Sequence, residues 1–124
     1  RLAPNKCVHD VIKSFYFYHE KINKNSMLWI VGHDIDTEIY SFELRALVTE
    51  LGLEQSVGFL GGVTDSELRA LYISADCYVT MSEHEGFCAP VIEAMGFGVP
   101  VVGFHSSAVT ETVCACSPAR SPSV

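Results

Sequence analysis

Long apolar runs and positive charge are both scarce in this chain. No stretch approaches the roughly 20 consecutive apolar residues that a membrane-spanning helix needs, so the sequence offers no spanning segment of that kind. Eight Lys and Arg stand against fifteen Asp and Glu, a formal net charge of −7. That balance argues against a general affinity for nucleic acid or for an anionic membrane surface. An anionic small ligand would have to rely on local cations, such as Arg1 and Lys6. The cysteines Cys7, Cys77, Cys88, Cys114 and Cys116 are odd in number and never spaced C-x2-C. Free thiols in a reducing compartment are therefore expected, which places the chain in the cytoplasm or on the cytosolic face of a membrane. No leader is expected ahead of the domain. Cys114-Ala-Cys116 could chelate a metal but has no second ligand pair beside it. His9, His19, His33, His84 and His105 lack the i, i+4 spacing of a helical metal pair, so no metal site is expected.

What is present is an alternation of helical and strand patterns. The 124 residues are enough for one domain with a real core. Val8, Val11, Ile12, Phe15 and Tyr18 share one face at a 3.6 period, which predicts an amphipathic helix over 8–22. A short apolar run over 27–31, ended by Gly32, predicts a buried strand. A helix over 37–51 should stop at Gly52 as its C-cap. A strand over 57–60 is closed by Gly61-Gly62. Another helix should begin at Asp65, with Thr64 as cap and Glu67 three residues on, the spacing of a capping box. A strand over 77–81, a helix over 90–97 and a strand over 99–103 complete the pattern. Apolar strands separated by helices predict a parallel sheet covered on both sides, with right-handed crossovers: a doubly wound, Rossmann-like three-layer α/β domain. Ligands bind such sheets beyond the carboxyl ends of the strands, which is where Gly32, Gly61 and Glu85 fall.

Glu85-Gly-Phe-Cys-Ala-Pro-Val-Ile-Glu93 places two carboxylates around a glycine turn and a helix start. Pro90 suits the first helical position, with Ala89 as cap, and nearby amides are left without intrahelical partners. Free amides and the helix dipole together favour an anion such as phosphate there. Carboxylates beside such an anion can accept hydrogen bonds from neutral hydroxyls, which suggests a sugar and a ribose.

The longer run from Ser82 to Val102 resembles the E-x7-E signature of retaining, two-domain (GT-B) glycosyltransferases. The likeness lies closest to the large family that includes many mannosyl-, glucosyl- and galactosyltransferases. Leu28-Trp-Ile-Val-Gly32, Leu51-Gly-Leu53, Val57-Gly-Phe-Leu-Gly61, Leu68-Arg-Ala-Leu-Tyr72 and Ala75-Asp76 follow in the order of that family's carboxyl-terminal, donor-binding domain. Arg1-Leu-Ala-Pro-Asn-Lys6 resembles its diphosphate-binding loop. The resemblance covers about residues 1–113, with 114–124 expected to be an irregular tail that adds little stability.

The resemblance implies a set of roles, each with a plainer reading beside it. Glu93 would hold the ribose hydroxyls of a nucleotide-sugar donor; otherwise it is a dipole-favoured acid in a first helical turn. Glu85 would contact the donor sugar, or be a solvated loop acid. Gly86 forms the turn, and the amides of Phe87, Cys88 and Ala89 would hold sugar hydroxyls and the distal phosphate. Arg1 and Lys6 would neutralise the diphosphate, unless they are simply solvated cations, and fraying at Arg1 could weaken its part. Gly62 and Val63 would lie near the nucleobase, or only close a strand. Cys88 stands where the family has glycine and Ala89 where it has leucine; backbone amides survive both changes. No metal or resident cofactor is implied, since the nucleotide sugar is a substrate.

The resemblance further implies an amino-terminal acceptor domain beyond this chain. It also implies a central first strand ahead of Arg1. Without that strand, the edges at 27–31 and 77–81 would either pair with each other or seek outside partners, giving a dimer. Two further readings stand apart from transfer: a donor-binding fragment or regulatory module without activity, and a flavodoxin-like or phosphoacceptor domain. The last lacks an acidic cluster with a partner lysine at its strand ends.

Overall fold

The computed structural model describes residues 1–83 and 89–104. A short 3-10 turn, Pro4–Lys6, leads into α1 (Val8–Lys21), followed by β1 (Leu28–Val31), α2 (Glu38–Glu50), β2 (Val57–Gly61), α3 (Asp65–Ser74), β3 (Tyr78–Thr80), α4 (Ala89–Gly96) and β4 (Val101–Gly103). Every predicted element is present, with ends within a few residues of expectation. The expected tail at 114–124 lies outside the described residues.

Local chemistry accounts for the boundaries. Thr64 caps α3 as its spacing predicted: the Thr64 N–H donates to Glu67 Oε2 at 2.7 Å and the Glu67 N–H to Thr64 Oγ1 at 3.2 Å. Thr64→Ala removes one half of this reciprocal pair, and thermal unfolding should show a loss of about 1 kcal/mol. At the end of α2, Gly52 adopts φ +68°. Its N–H reaches Thr49 O, while the Leu53 N–H reaches Val48 O. This double closure seats Leu53 in the core at 1% exposure.

The strands run parallel, but among the described residues they pair as two separate sheets, β1 with β2 and β3 with β4. The parallel, Rossmann-like α/β arrangement is the expected one, and direct pairing of β1 with β3 is not found among the described residues. The apolar interior divides in the same way. Ile12, Ile30, Tyr40, Leu44, Val48, Leu53 and Val57 form one core beneath α1 and α2. Tyr72, Ala94 and Val99 form a second, with Leu68, Tyr78 and Val101 packed against it. An open cleft of about 330 Å³ lies between α1 and the β3–β4 sheet, with Asp10, Phe17, Met81, Glu83 and Phe104 among its lining. Expecting both faces of every strand to be covered was too simple: Trp29 and Val102 are each about half exposed.

Candidate functional site

The amino-terminal segment runs across the carboxyl ends of both sheets. Leu2 donates its N–H to His33 O at 2.9 Å, just past β1, and Thr37 Oγ1 donates to Leu2 O. The backbone of Arg1 lies directly over Gly32, where an added Cβ would sit 3.4 Å from the Arg1 nitrogen. Gly32 also has φ +143° and donates to Gly61 O at 2.9 Å, so a side chain there would be strained as well as crowded. The Leu2 bond and the close approach to Gly32 set the path of the backbone at this end.

At the other sheet, Asn5 O accepts from the Glu83 N–H at 3.2 Å and from Ser82 Oγ at 3.4 Å. Lys6 follows on the same turn. Residues 1–6 therefore connect the end of β1 to the loop leaving β3, the loop that leads towards Glu85. Gly62 and Val63 follow β2 at this end, next to the Gly32–Gly61 bond. Glu85, Gly86, Phe87 and Cys88 lie outside the described residues.

Helix α4 begins at Ala89, not at Pro90, so Ala89 is its first residue and not its cap. The amides of Val91 and Ile92 fall in its first turn. Glu93 is then the fifth residue, one beyond that turn, and a purely dipolar reason for an acid there loses force because the effect fades within the turn. Instead Glu93 is exposed and held from one side. The buried Tyr72 places its hydroxyl 3.1 Å from Glu93 Oε2 and 3.3 Å from Pro90 O. Its ring stacks on Phe97 at 5.5 Å with planes 12° apart. A carboxylate has lone pairs enough on both oxygens to accept further donors from a ligand.

The sequence did not single out Tyr72, Asn5 or Ser82 as parts of the site. Tyr72 had a legible signal, since it lies four residues after Leu68 on the apolar face of α3. Asn5 acts through its carbonyl, which no side-chain pattern reports.

Where α1 begins, Cys7 is a left-handed residue, with φ 50° and ψ 43°. Its thiol is 4% exposed as part of a buried residue. Burial pushes its pKa up, and the Glu83 and Asp10 carboxylates add to the rise. Burial raises the Tyr40 hydroxyl likewise. Both groups favour the protonated form in the folded state. Their stabilisation is complete below the unfolded-state pKa and is lost as pH climbs through the folded one. Melting temperature should therefore fall from about pH 9 upward, and Cys7→Ser should flatten part of that slope.

No helix among the described residues is long and apolar enough to cross a membrane.

Residues 1–117 match the family model of the group 1 glycosyl transferases. Mannosylfructose-phosphate synthase of Agrobacterium fabrum is 35% identical over 105 residues, 82% of this chain and 23% of that protein. The O-antigen chain mannosyltransferase of Salmonella typhimurium is 36% identical over 99 residues, 80% of this chain and 26% of its own length. Among solved structures, Anabaena HepE in complex with UDP-glucose superposes with a TM-score of 0.79 at 30% identity, covering 90% of this chain and 29% of that one. A Rickettsia africae glycosyltransferase, 18% identical with a TM-score of 0.81, shares the fold. The chain spans about a quarter of the length of these relatives. With parallel sheets of the Rossmann kind, loops gathered at the carboxyl ends of the strands, and a family match over residues 1–117, the chain belongs to the group 1 glycosyl transferases.

Proposed function

We propose that the chain is the donor-binding portion of a retaining glycosyltransferase that moves a hexose from a nucleoside-diphosphate sugar to an acceptor hydroxyl. The observation that supports this reading is the family match over residues 1–117, together with an amino-terminal segment that spans the carboxyl ends of β1 and β3. The Arg1 backbone and Gly62-Val63 lie at the ends of β1 and β2, and the Asn5 carbonyl ties the Lys6 turn to Ser82 and Glu83 after β3. Glu93 accepts the ribose hydroxyls. Arg1 offers paired donors to the diphosphate and Lys6 a point charge. Glu85 contacts the sugar hydroxyls, and Gly86 with the amides of Phe87, Cys88 and Ala89 takes the distal phosphate. Gly62 and Val63 border the base.

The bond from the anomeric carbon to the diphosphate breaks with its electron pair leaving on the diphosphate, the acceptor oxygen bonds to the same carbon on the same face, and the acceptor's proton passes to the departing diphosphate. Charge builds on the leaving diphosphate as that bond lengthens. Amides and cations directed at that charge stabilise it electrostatically. The E-x7-E pair Glu85 and Glu93 brackets the donor, and the reading requires no metal or resident cofactor at this site. The hexose assignment is supported by relatives named as mannosyltransferases and by a neighbour bound to UDP-glucose. The acceptor site belongs to an amino-terminal domain present in the greater length of the relatives. Work is done in the cytoplasm or at the cytosolic face of a membrane.

The share of relatives' length covered favours one second reading: this chain binds donor without transferring it. Titration with nucleotide sugars, with released sugar assayed in parallel, separates the two. Binding with turnover supports the transferase, binding without turnover supports the module, and an absence of binding contradicts both. Lys6→Ala should weaken nucleoside diphosphate and pyrophosphate alike, with a loss that shrinks as salt rises, because its contribution is Coulombic and screened.

Assembly follows from the sheet edges. With β1 paired to β2 alone among the described residues, we infer that the other edge of β1 accepts a partner strand. Sedimentation over a range of concentrations should show association of this chain; a clean monomer throughout would count against it.

A further inference from the structure

Outside the proposed donor contacts, the first turn of α1 gathers a cysteine, a histidine and an aspartate. One ligand atom from each of Cys7, His9 and Asp10 lies within 4.8 Å of the others. His9 Nε2 is 3.6 Å from Asp10 Oδ2. Tetrahedral ligands at zinc-type bond lengths stand about 3.3–3.6 Å apart, so the nitrogen–oxygen pair is close to that spacing and the thiol needs a shift of about an ångström. We propose that Cys7 Sγ, His9 Nε2 and the Asp10 carboxylate bind one divalent cation of the zinc and cobalt class, with solvent at the fourth position.

Four features converge on this reading. The ligand types are mixed: one soft thiolate, one imidazole and one carboxylate, a donor set that suits zinc better than magnesium or calcium. Negative charge gathers around the group, since Glu83 lines the cleft beneath α1 together with Asp10. His9 is oriented from behind. Its Nδ1 lies 2.8 Å from Tyr40 Oη, and Tyr40 is buried against the core. With Nδ1–H donating to that oxygen, the Nε2 lone pair faces Asp10, and a histidine held through its second nitrogen is the usual arrangement of a metal ligand. Finally, Cys7 takes a left-handed conformation at the start of α1, and its Sγ, which also reaches Pro4 O at 3.6 Å, stays within 4.8 Å of ligand atoms two and three positions on.

Sequence spacing concealed this group. Residues at i, i+2 and i+3 do not share one face of a regular helix, and only the turn at Cys7 aligns them. The dipole at the start of α1 opposes a cation, but it fades within a turn and meets negatively charged ligands directly. As the metal–sulfur bond forms, the thiol proton leaves to solvent. The bound ion would fasten the start of α1 and, with it, the turn carrying Lys6. The inference rests on this geometry and not on the donor reading.

The competing arrangement is metal-free. Tyr40 O–H donates to Nδ1, and a protonated Nε2 faces Asp10 as an ordinary ion pair. Titration of the whole chain with cobalt(II) distinguishes the two. The expected result is equimolar binding with sulfur-to-cobalt charge-transfer absorption, abolished by zinc. A variant with Cys77, Cys88, Cys114 and Cys116 all changed to serine should keep that absorption, and Cys7→Ser should lose it. His9→Gln and Asp10→Asn, at partly exposed positions, should each keep the far-ultraviolet circular dichroism of the parent and weaken binding at least tenfold. Tyr40→Phe should weaken it by ten- to a hundredfold, the range for an orienting partner. Absence of the absorption, its loss in the four-cysteine variant, or indifference to His9→Gln and Asp10→Asn would overturn the proposal.

Discussion

Leu44→Ala is expected to lower the stability of this chain by about 2–5 kcal/mol. Leu44 is 1% exposed and stands at the centre of the core that joins α1, α2, β1 and β2. Shortening it leaves a void among Ile12, Ile30, Val48, Leu53 and Val57, which cannot all collapse inward because each is anchored to its own element. The loss then combines the missing apolar transfer with the cavity left behind. Two cores lie under two sheets, so amide exchange should accelerate most in β1, β2 and the paired helices. Residues of α4 and β4, which pack on Tyr72 and Val99, should be less affected. Denaturant unfolding gives the first quantity and hydrogen exchange the second. A loss below about 1 kcal/mol, or uniform acceleration through both halves, would show that the cores behave as one packed interior.

Glu93→Gln tests the site by chemistry instead of by packing. Glutamine keeps the length, helix propensity and one carbonyl oxygen for Tyr72, but replaces a charged acceptor by a neutral one. If Glu93 holds ribose hydroxyls, nucleoside-diphosphate binding should weaken by about 1.5–3 kcal/mol, the range for hydrogen bonds to charged groups. Inorganic pyrophosphate carries no ribose. It should bind the variant as well as the parent or slightly better, because a nearby negative charge has gone. Tyr72→Phe should reproduce a milder form of the defect, since the carboxylate stays but its hydroxyl partner is lost. Calorimetric titration of each variant with both ligands reads the pattern. Equal losses for the two ligands on Glu93→Gln would refute the ribose assignment.

Much of this was legible before any coordinate. The alternation of periods gave every element, and Thr64 with Glu67 showed the capping box because a cap is written in residues three apart. Gly52 showed the end of α2 for a similar local reason. The organisation of the strands was less legible. Pairing depends on which backbones are adjacent, and apolar strands in one sheet or in two look alike in sequence. Trp29 illustrates the limit: as an apolar strand residue it reads as buried, yet half its surface is open.

The candidate site was readable as a list of residue types but not as a set of contacts. Arg1, Lys6 and Glu93 follow from resemblance and charge. That Arg1 rests on Gly32, and that Tyr72 holds Glu93, depends on long-range juxtapositions which no local window contains. Cys7 shows the opposite case. Its left-handed backbone is local, but nothing in a cysteine signals it, whereas glycine or asparagine in that place would have.

Amide chemical-shift mapping of the labelled chain during titration with a nucleoside diphosphate tests the central claim most directly. The account predicts saturable shifts at Leu2, Lys6, Gly32, Gly62, Val63 and the first turn of α4 through Glu93. The distant face of α2, around Phe42 and Thr49, should stay unchanged. Shifts confined to that face, or none at concentrations far above millimolar, would contradict a donor site at the carboxyl ends of these strands.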